Sequence, residues 1–145
     1  MEKGINSHLA LVDTGIIYAL ADKTDEWHQK ATRFASHFEG RWIVPETVIP
    51  EACYLINKYL GSQAEIAFVK SLAKGEMSVE ALHAQDINRA SQLMETYLSL
   101  NIGFVDASVI AIAERRGITQ VLTTDRRHFS AVVPNHCKQL SLLPE

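Results

Sequence analysis

The sequence predicts a three-layer α/β domain with a mainly parallel central sheet flanked by helices. Short apolar runs such as Leu9-Ala-Leu-Val12 and Trp42-Ile-Val44 alternate along the chain with longer stretches of helical periodicity. Alternation of this kind builds crossover units, which pair strands in parallel and cover the sheet on both faces. The chain has 145 residues, 47% of them hydrophobic and 21% charged, enough for one ordinary core and short for two. Residues 1–145 contain no internal repeat, low-complexity tract or Pro/Gly-rich linker, and are read as a single domain.

Taken in order, Leu9 to Val12 is a buried strand that ends at Asp13, and Thr14 to Ala21 is a helix. Thr24 or Asp25 caps the next helix, in which Trp27, Ala31, Phe34 and Phe38 fall on one stripe before Gly40 closes it. Trp42 to Val44 is a second strand, stopped by Pro45. Thr47 caps a helix reaching about Leu60, with Pro50 in the first turn, where its missing N–H costs little. After Gly61, the capping box Ser62-Gln-Ala-Glu65 opens a further helix that ends near Gly75. Met77 to Ala81 is a third strand. Asp86 caps a helix whose core face is Ile87, Ala90, Met94 and Tyr97. Val105 to Arg116 is a helix stopped by Gly117, Gln120 to Thr123 a fourth strand, and Gln139 to Leu142 an edge strand.

Charge and cysteine content remove several classes. Lys plus Arg total 14 and Asp plus Glu 17, a net charge of −3, so a chain-wide basic nucleic-acid coat is excluded and any phosphate contact is a local patch. Cys53 and Cys137 are too few for a disulfide scaffold or a thiolate zinc cluster, and read as small hydrophobes. The stretch Met1 to His8 lacks the apolar segment of a secretory signal, and no apolar run approaches the ~20 residues of a membrane helix. A cytoplasmic protein without a membrane partner is expected. There is no P-loop Gly-x-x-x-x-Gly-Lys.

Four acids stand where open α/β sheets gather ligands, beyond the carboxyl ends of strands. Asp13 ends the first strand, Asp125 follows the fourth, Asp106 opens a helix and Glu51 lies one turn into another. Taken singly, Asp106 is explained by the helix dipole and Asp125 by a turn. Asp13 is not, because it sets a charge beside a dry core. Glu51 is also awkward as a surface residue, among Ile49, Ala52, Tyr54, Leu55 and Ile56. Carboxylates converging in one crevice repel each other unless a cation neutralises them. An oxygen-only donor set suits Mg²⁺ or Mn²⁺ and argues against zinc or copper. Such an ion acidifies a bound water and stabilises phosphoryl charge, so phosphodiester hydrolysis is a natural use.

These residues carry a resemblance. Val12-Asp13-Thr14 with Leu20, Pro50-Glu51-Ala52, Asp106-Ala107 with Ile110 and Ala113, and Thr123-Thr124-Asp125-Arg-Arg-His-Phe129 resemble the four acidic motifs of PIN domains, in the family's order and over about Leu9 to Leu143. Within that family, Thr24-Asp-Glu-Trp-His28 and the Asp-Arg-Arg-His-Phe run make the chain most similar to VapC-type toxins of toxin–antitoxin pairs. The resemblance implies a metal-dependent endoribonuclease with Asp13, Glu51, Asp106 and Asp125 as its catalytic and metal-binding acids and Mg²⁺ or Mn²⁺ as cofactor. It also implies a homodimer, an RNA substrate and an antitoxin that blocks the site. Pro50 departs from the small or aliphatic residue usual before the glutamate, which bears on how Glu51 is oriented.

The supporting residues follow from their neighbours. Thr14 and Thr124 stand beside two of the acids, where a hydroxyl orients a carboxylate or binds phosphate; a helix cap explains Thr14 equally well. Arg126 and Arg127 follow Asp125 and are candidates for RNA phosphate contacts, whereas Arg115 and Arg116 are better explained as helix-end cations. Asp22 and Asp25 read as solvated helix-start residues. The six histidines form no ligand cluster, and His28 and His128 read as surface or packing residues. Two rival functions share part of this pattern. A phosphatase of the haloacid dehalogenase type needs a second Asp two residues after the first, where this chain has Gly15. A non-catalytic RNA- or protein-binding module gives no reason to keep four clustered acids.

Overall fold

In the computed structural model, which describes residues 8–145, the first apolar run becomes β1 (Leu9–Val12), buried at every position. Continuous apolarity is what a parallel strand covered on both faces requires. The signal-peptide expectation for Met1 to His8 falls almost wholly outside the described residues. After β1 come α1 (Thr14–Ala21), α2 (His28–His37), β2 (Arg41–Pro45), α3 (Val48–Leu60), α4 (Ser62–Ala73), β3 (Ser78–Glu80), α5 (Ala84–Thr96), α6 (Phe104–Arg116), β4 (Gln120–Leu122), α7 (Arg126–Ala131) and β5 (Ser141–Leu143).

The five strands are all parallel, in the order β3-β2-β1-β4-β5. The chain runs from β1 outward through β2 to β3, then returns to the other side of β1 for β4 and β5. A crevice opens where the order reverses, at the carboxyl ends of β1 and β4. The register pairs Val12 with Leu122, so Asp13 and Thr123 leave the sheet side by side.

Helices pack in two groups, α1 with α2 and α3 and α3 with α4, and α5 with α6. Helix α6 is buried from Ala107 through Ala113 without a polar face, the mark of a helix covered on all sides. Only its ends reach solvent, and the amino-terminal end carries Asp106. The carboxyl end stops at Gly117, whose φ of 66° is the left-handed cap that a side chain resists.

Several local expectations are corrected. Ser62 and Glu65 form no capping box: Ser62 is already helical after Gly61, and Glu65 accepts instead from Asn57 Nδ2 at 2.8 Å. Thr47 makes no cap bond, its hydroxyl lying 2.7 Å from Ser108 Oγ. Neither Thr24 nor Asp25 is the residue before α2. Trp27 holds that position, and the Asp25 carboxylate accepts its N–H at 2.8 Å. Pro45 ends β2 from inside the strand. The sequence missed α7, a six-residue helix.

The largest correction concerns Asp86, which caps α5 from inside its first turn, through a capping box with His83, and not from the position before it. It is the third residue of α5, accepts from His83 N at 2.9 Å, and is only 1% exposed. Arg115 of α6 donates to both its oxygens, at 2.9 and 3.1 Å, and to Glu80 at 3.0 Å; Arg116 also pairs with Glu80. Burying this carboxylate turns α5, so Asp86, Ala90 and Leu93 face inward and Ile87 stands 49% exposed. Arg115 is thus tied to both α5 and β3, and Arg116 to β3. Removing one partner of a buried pair strands the other's charge. Asp86→Ala is therefore expected to lower unfolding free energy by about 3–5 kcal/mol, measured by denaturant titration; a loss under ~1 kcal/mol contradicts the pairing.

Candidate active site

Asp13 occupies the turn from β1 to α1. Its N–H still continues the sheet, donating to Leu122 O at 2.9 Å, while its carboxylate sits almost buried at 5% exposure. The Thr123 hydroxyl donates to Asp13 Oδ2 at 3.0 Å and accepts the Asp125 N–H at 2.8 Å. One fully buried hydroxyl therefore ties the first acid to the loop carrying the fourth. The next residue, Thr14, donates its hydroxyl to Glu51 Oε1 in the first turn of α3. Pro50 does not turn Glu51 away from the crevice.

Asp106 enters from the first turn of α6. His128, on α7, places Nδ1 3.0 Å from Asp106 Oδ2 and 3.3 Å from Asp125 Oδ2. Asp125 also caps α7, its Oδ1 accepting the His128 N–H at 3.4 Å. All four acids thus meet at one crevice, from the Asp13 floor to a rim where Asp125 is 37% and Glu51 more openly exposed.

The electrostatics follow from that crowding. Burial pushes the Asp13 carboxyl up to about 6; the Thr14 N–H and Thr123 hydroxyl pull it down, and the charges of Glu51 and Asp125 push it further up. Asp106 is pushed up to about 7, first by burial and then by the Asp13 charge, with His128 opposing and Asp125 adding. Ionising these groups together is costly, and a divalent cation among them relieves that cost. Asp106, Asp125 and His128 bring ligand atoms within 4.8 Å of one another, a donor set that fits such an ion, and the Asp13 and Glu51 charges stand beside it.

The remaining candidates divide. Thr14 is committed to a carboxylate. Thr124 closes against α1: a Cβ on Gly15 would lie 2.1 Å from Thr124 Oγ1, so the glycine lets the loop after β4 approach α1 this closely. Arg126 donates to Leu142 O at 3.1 Å and to Pro144 O, and its guanidinium lies 5.2 Å from the Trp27 ring centre. It anchors the last strand, which leaves Arg127 as the exposed member of the pair. His28 Nδ1 meets Ala19 O at 2.7 Å, joining α2 to α1. Asp22 takes the Tyr18 hydroxyl at 2.5 Å and both Thr24 donors, which hold its carboxyl below the usual range.

Sequence reasoning missed Thr123 and His128. In the sequence Thr123 reads as the last strand residue, though Thr-Thr-Asp at a strand end offers two hydroxyls. His128 reads as a surface or packing residue, and its i+3 spacing from Asp125 is the signal that links the two.

The PIN domain family profile matches residues 10–133. Ribonuclease VapC26 of Mycobacterium tuberculosis is 28% identical over 134 residues, which cover 92% of this chain and 99% of that protein. The crystal structure of VapC20 of Mycobacterium tuberculosis, a sarcin-ricin loop cleaving toxin, matches with a TM-score of 0.80 at 23% identity, over 89% of this chain and 98% of that one. VapBC2 of Rickettsia felis, bound to a DNA fragment from their promoter, matches at 0.67 and 15% identity, over 93% and 97% of the two chains. The two structural likenesses bear on the fold.

A carboxyl that titrates higher when folded stabilises the protein below its unfolded value and loses that contribution as pH rises through the folded one. Without divalent metal, stability is expected to fall between pH 4 and 7 as Asp13 and Asp106 ionise. Asp13→Asn should remove roughly 2–3 kcal/mol of that fall, at about 1.4 kcal/mol per pH unit between the two titrations. Thermal melts across pH in chelator check this; a wild-type curve that is flat or rises over the window contradicts it.

Proposed function

The chain belongs to the PIN domain family, and from that premise we propose that it is a divalent-metal-dependent endoribonuclease, the toxin of a toxin–antitoxin pair. The observation that carries the proposal is the meeting of Asp13, Glu51, Asp106 and Asp125 at the end of β1 and β4, with two carboxyls raised by burial and mutual repulsion. RNA as the substrate class is supported by VapC26, a ribonuclease matched over nearly the whole of both chains.

Asp13 and Asp106, the more buried acids, hold the ion, Mg²⁺ or Mn²⁺. When bound, such an ion acidifies a water and offsets charge on a phosphoryl oxygen. Glu51 completes the acidic ring, its direction set by the Thr14 hydroxyl. Asp125, at the solvent side, completes the donor set beside Asp106 and orients the attacking water. Thr123 holds Asp13 and the Asp125 backbone in register. Thr124 and Arg127 contact the RNA backbone at the rim, while Arg126 shapes that rim through the last strand.

A partner antitoxin and a homodimer belong to the same reading. Tyr54, Tyr59, Ile66 and Val69 on α3 and α4 are large apolar side chains 45–63% exposed, a surface that suits protein contacts. Among the described residues no helix is long and apolar enough to cross a membrane, and the protein acts in the cytoplasm. The phosphatase alternative is disfavoured by Gly15, which gives no acid beside Asp13 and packs against Thr124.

Asp13→Asn is expected to cut metal-dependent RNA cleavage by roughly 10²-fold or more, a loss of several kcal/mol of transition-state stabilisation. Cleavage at the wild-type rate by a folded variant refutes the proposal. The arginines should separate in the same assay. Arg127→Ala weakens RNA binding and lowers its salt slope by about 1, whereas Arg126→Ala lowers the melting temperature through the lost strand anchor. Equal effects on binding by both variants contradict this division.

A further inference from the structure

Two of the acids, Asp106 and Asp125, meet at one nitrogen. His128 Nδ1 stands 3.0 Å from Asp106 Oδ2 and 3.3 Å from Asp125 Oδ2, and ligand atoms from the three side chains lie within 4.8 Å of one another. Two atoms at right angles on one ion, with bonds of about 2.0–2.2 Å, are separated by roughly 3 Å. The imidazole nitrogen is therefore spaced from both carboxylate oxygens as neighbouring ligands are spaced. We infer that His128 is a nitrogen ligand of the metal proposed above, and that it makes the site prefer a first-row transition ion such as Mn²⁺ over Mg²⁺. The inference rests on the nuclease reading and narrows it.

The fold delivers the ring to this place. Asp125 caps α7, and the residue three further on returns over the same turn, so His128 faces the carboxylate that holds its own N–H. Phe129, fully buried beside it, pins the helix to the core. Nε2 is buried and has no hydrogen-bond partner among the described residues. Among the described residues the side-chain hydrogen-bond partners of the ring are the two acids, at Nδ1. Magnesium favours oxygen donors and keeps its waters, whereas affinity for a nitrogen donor rises along the first-row transition series, from Mn²⁺ upward. A mixed oxygen and nitrogen set thus separates Mn²⁺ from Mg²⁺ in a way four carboxylates alone do not.

Calorimetric titration of the RNA-free protein with each ion, together with pulsed EPR of the Mn²⁺-loaded wild type, tests the inference. Wild-type protein is expected to bind Mn²⁺ at least about tenfold more tightly than Mg²⁺, and its Mn²⁺ spectrum to show nitrogen coupling. His128→Gln should lose most of that preference by weakening Mn²⁺ at least about tenfold, with Mg²⁺ affinity nearly unchanged and the coupling gone. Absence of nitrogen coupling in the wild type overturns the inference, and so does a variant that loses both ions equally, which makes His128 a hydrogen-bonding clamp on the two acids. In either case binding that Asp13→Asn abolishes leaves the nuclease reading standing. Failure of the wild type to bind either ion removes both.

Discussion

Negative charge held against a dry core is the constraint from which the rest of this structure follows. Asp13 cannot move to water, because it ends the central strand and its N–H is part of the sheet. Asp106 cannot move either, since it is fixed to the first turn of a helix buried through most of its length. Burial and proximity raise both carboxyls, so the folded metal-free protein stores an electrostatic cost that a cation relieves. Function and instability are in this sense the same arrangement, seen with and without the ion.

The topology makes that arrangement nearly unavoidable. The strand order reverses between β1 and β4, so their ends diverge into a crevice that no crossover covers. Thr123 then binds the two strand ends together at side-chain level, and Gly15 allows the loop after β4 to close on α1. At the other end of α6 the buried Asp86 and its arginine fix α5 to α6.

Much of this was legible in the sequence. Strands ending in Asp, the apolar continuity of β1 and the helix stopped by Gly117 report local preferences that the fold keeps. The four acids were found because each breaks a local pattern, or stands where a parallel sheet opens. What escaped was set by partners distant in sequence. Ile87 fits an apolar stripe, yet Arg115 holds Asp86 inward and Ile87 is left half-exposed. Arg126 resembles a phosphate ligand until the carbonyls of the last strand are seen to take its donors. His128 looks like a surface residue until α7 turns it onto two carboxylates. Periodicity carries no information about such pairings, because they cost or gain energy only once the chain has folded.

Whether the acids form one cation pocket is read from anomalous diffraction of crystals soaked in Mn²⁺. A single strong peak is expected, bounded by the carboxylates of Asp13 and Asp106. A fully loaded crystal with no density there, or with manganese bound only elsewhere on the surface, would contradict it.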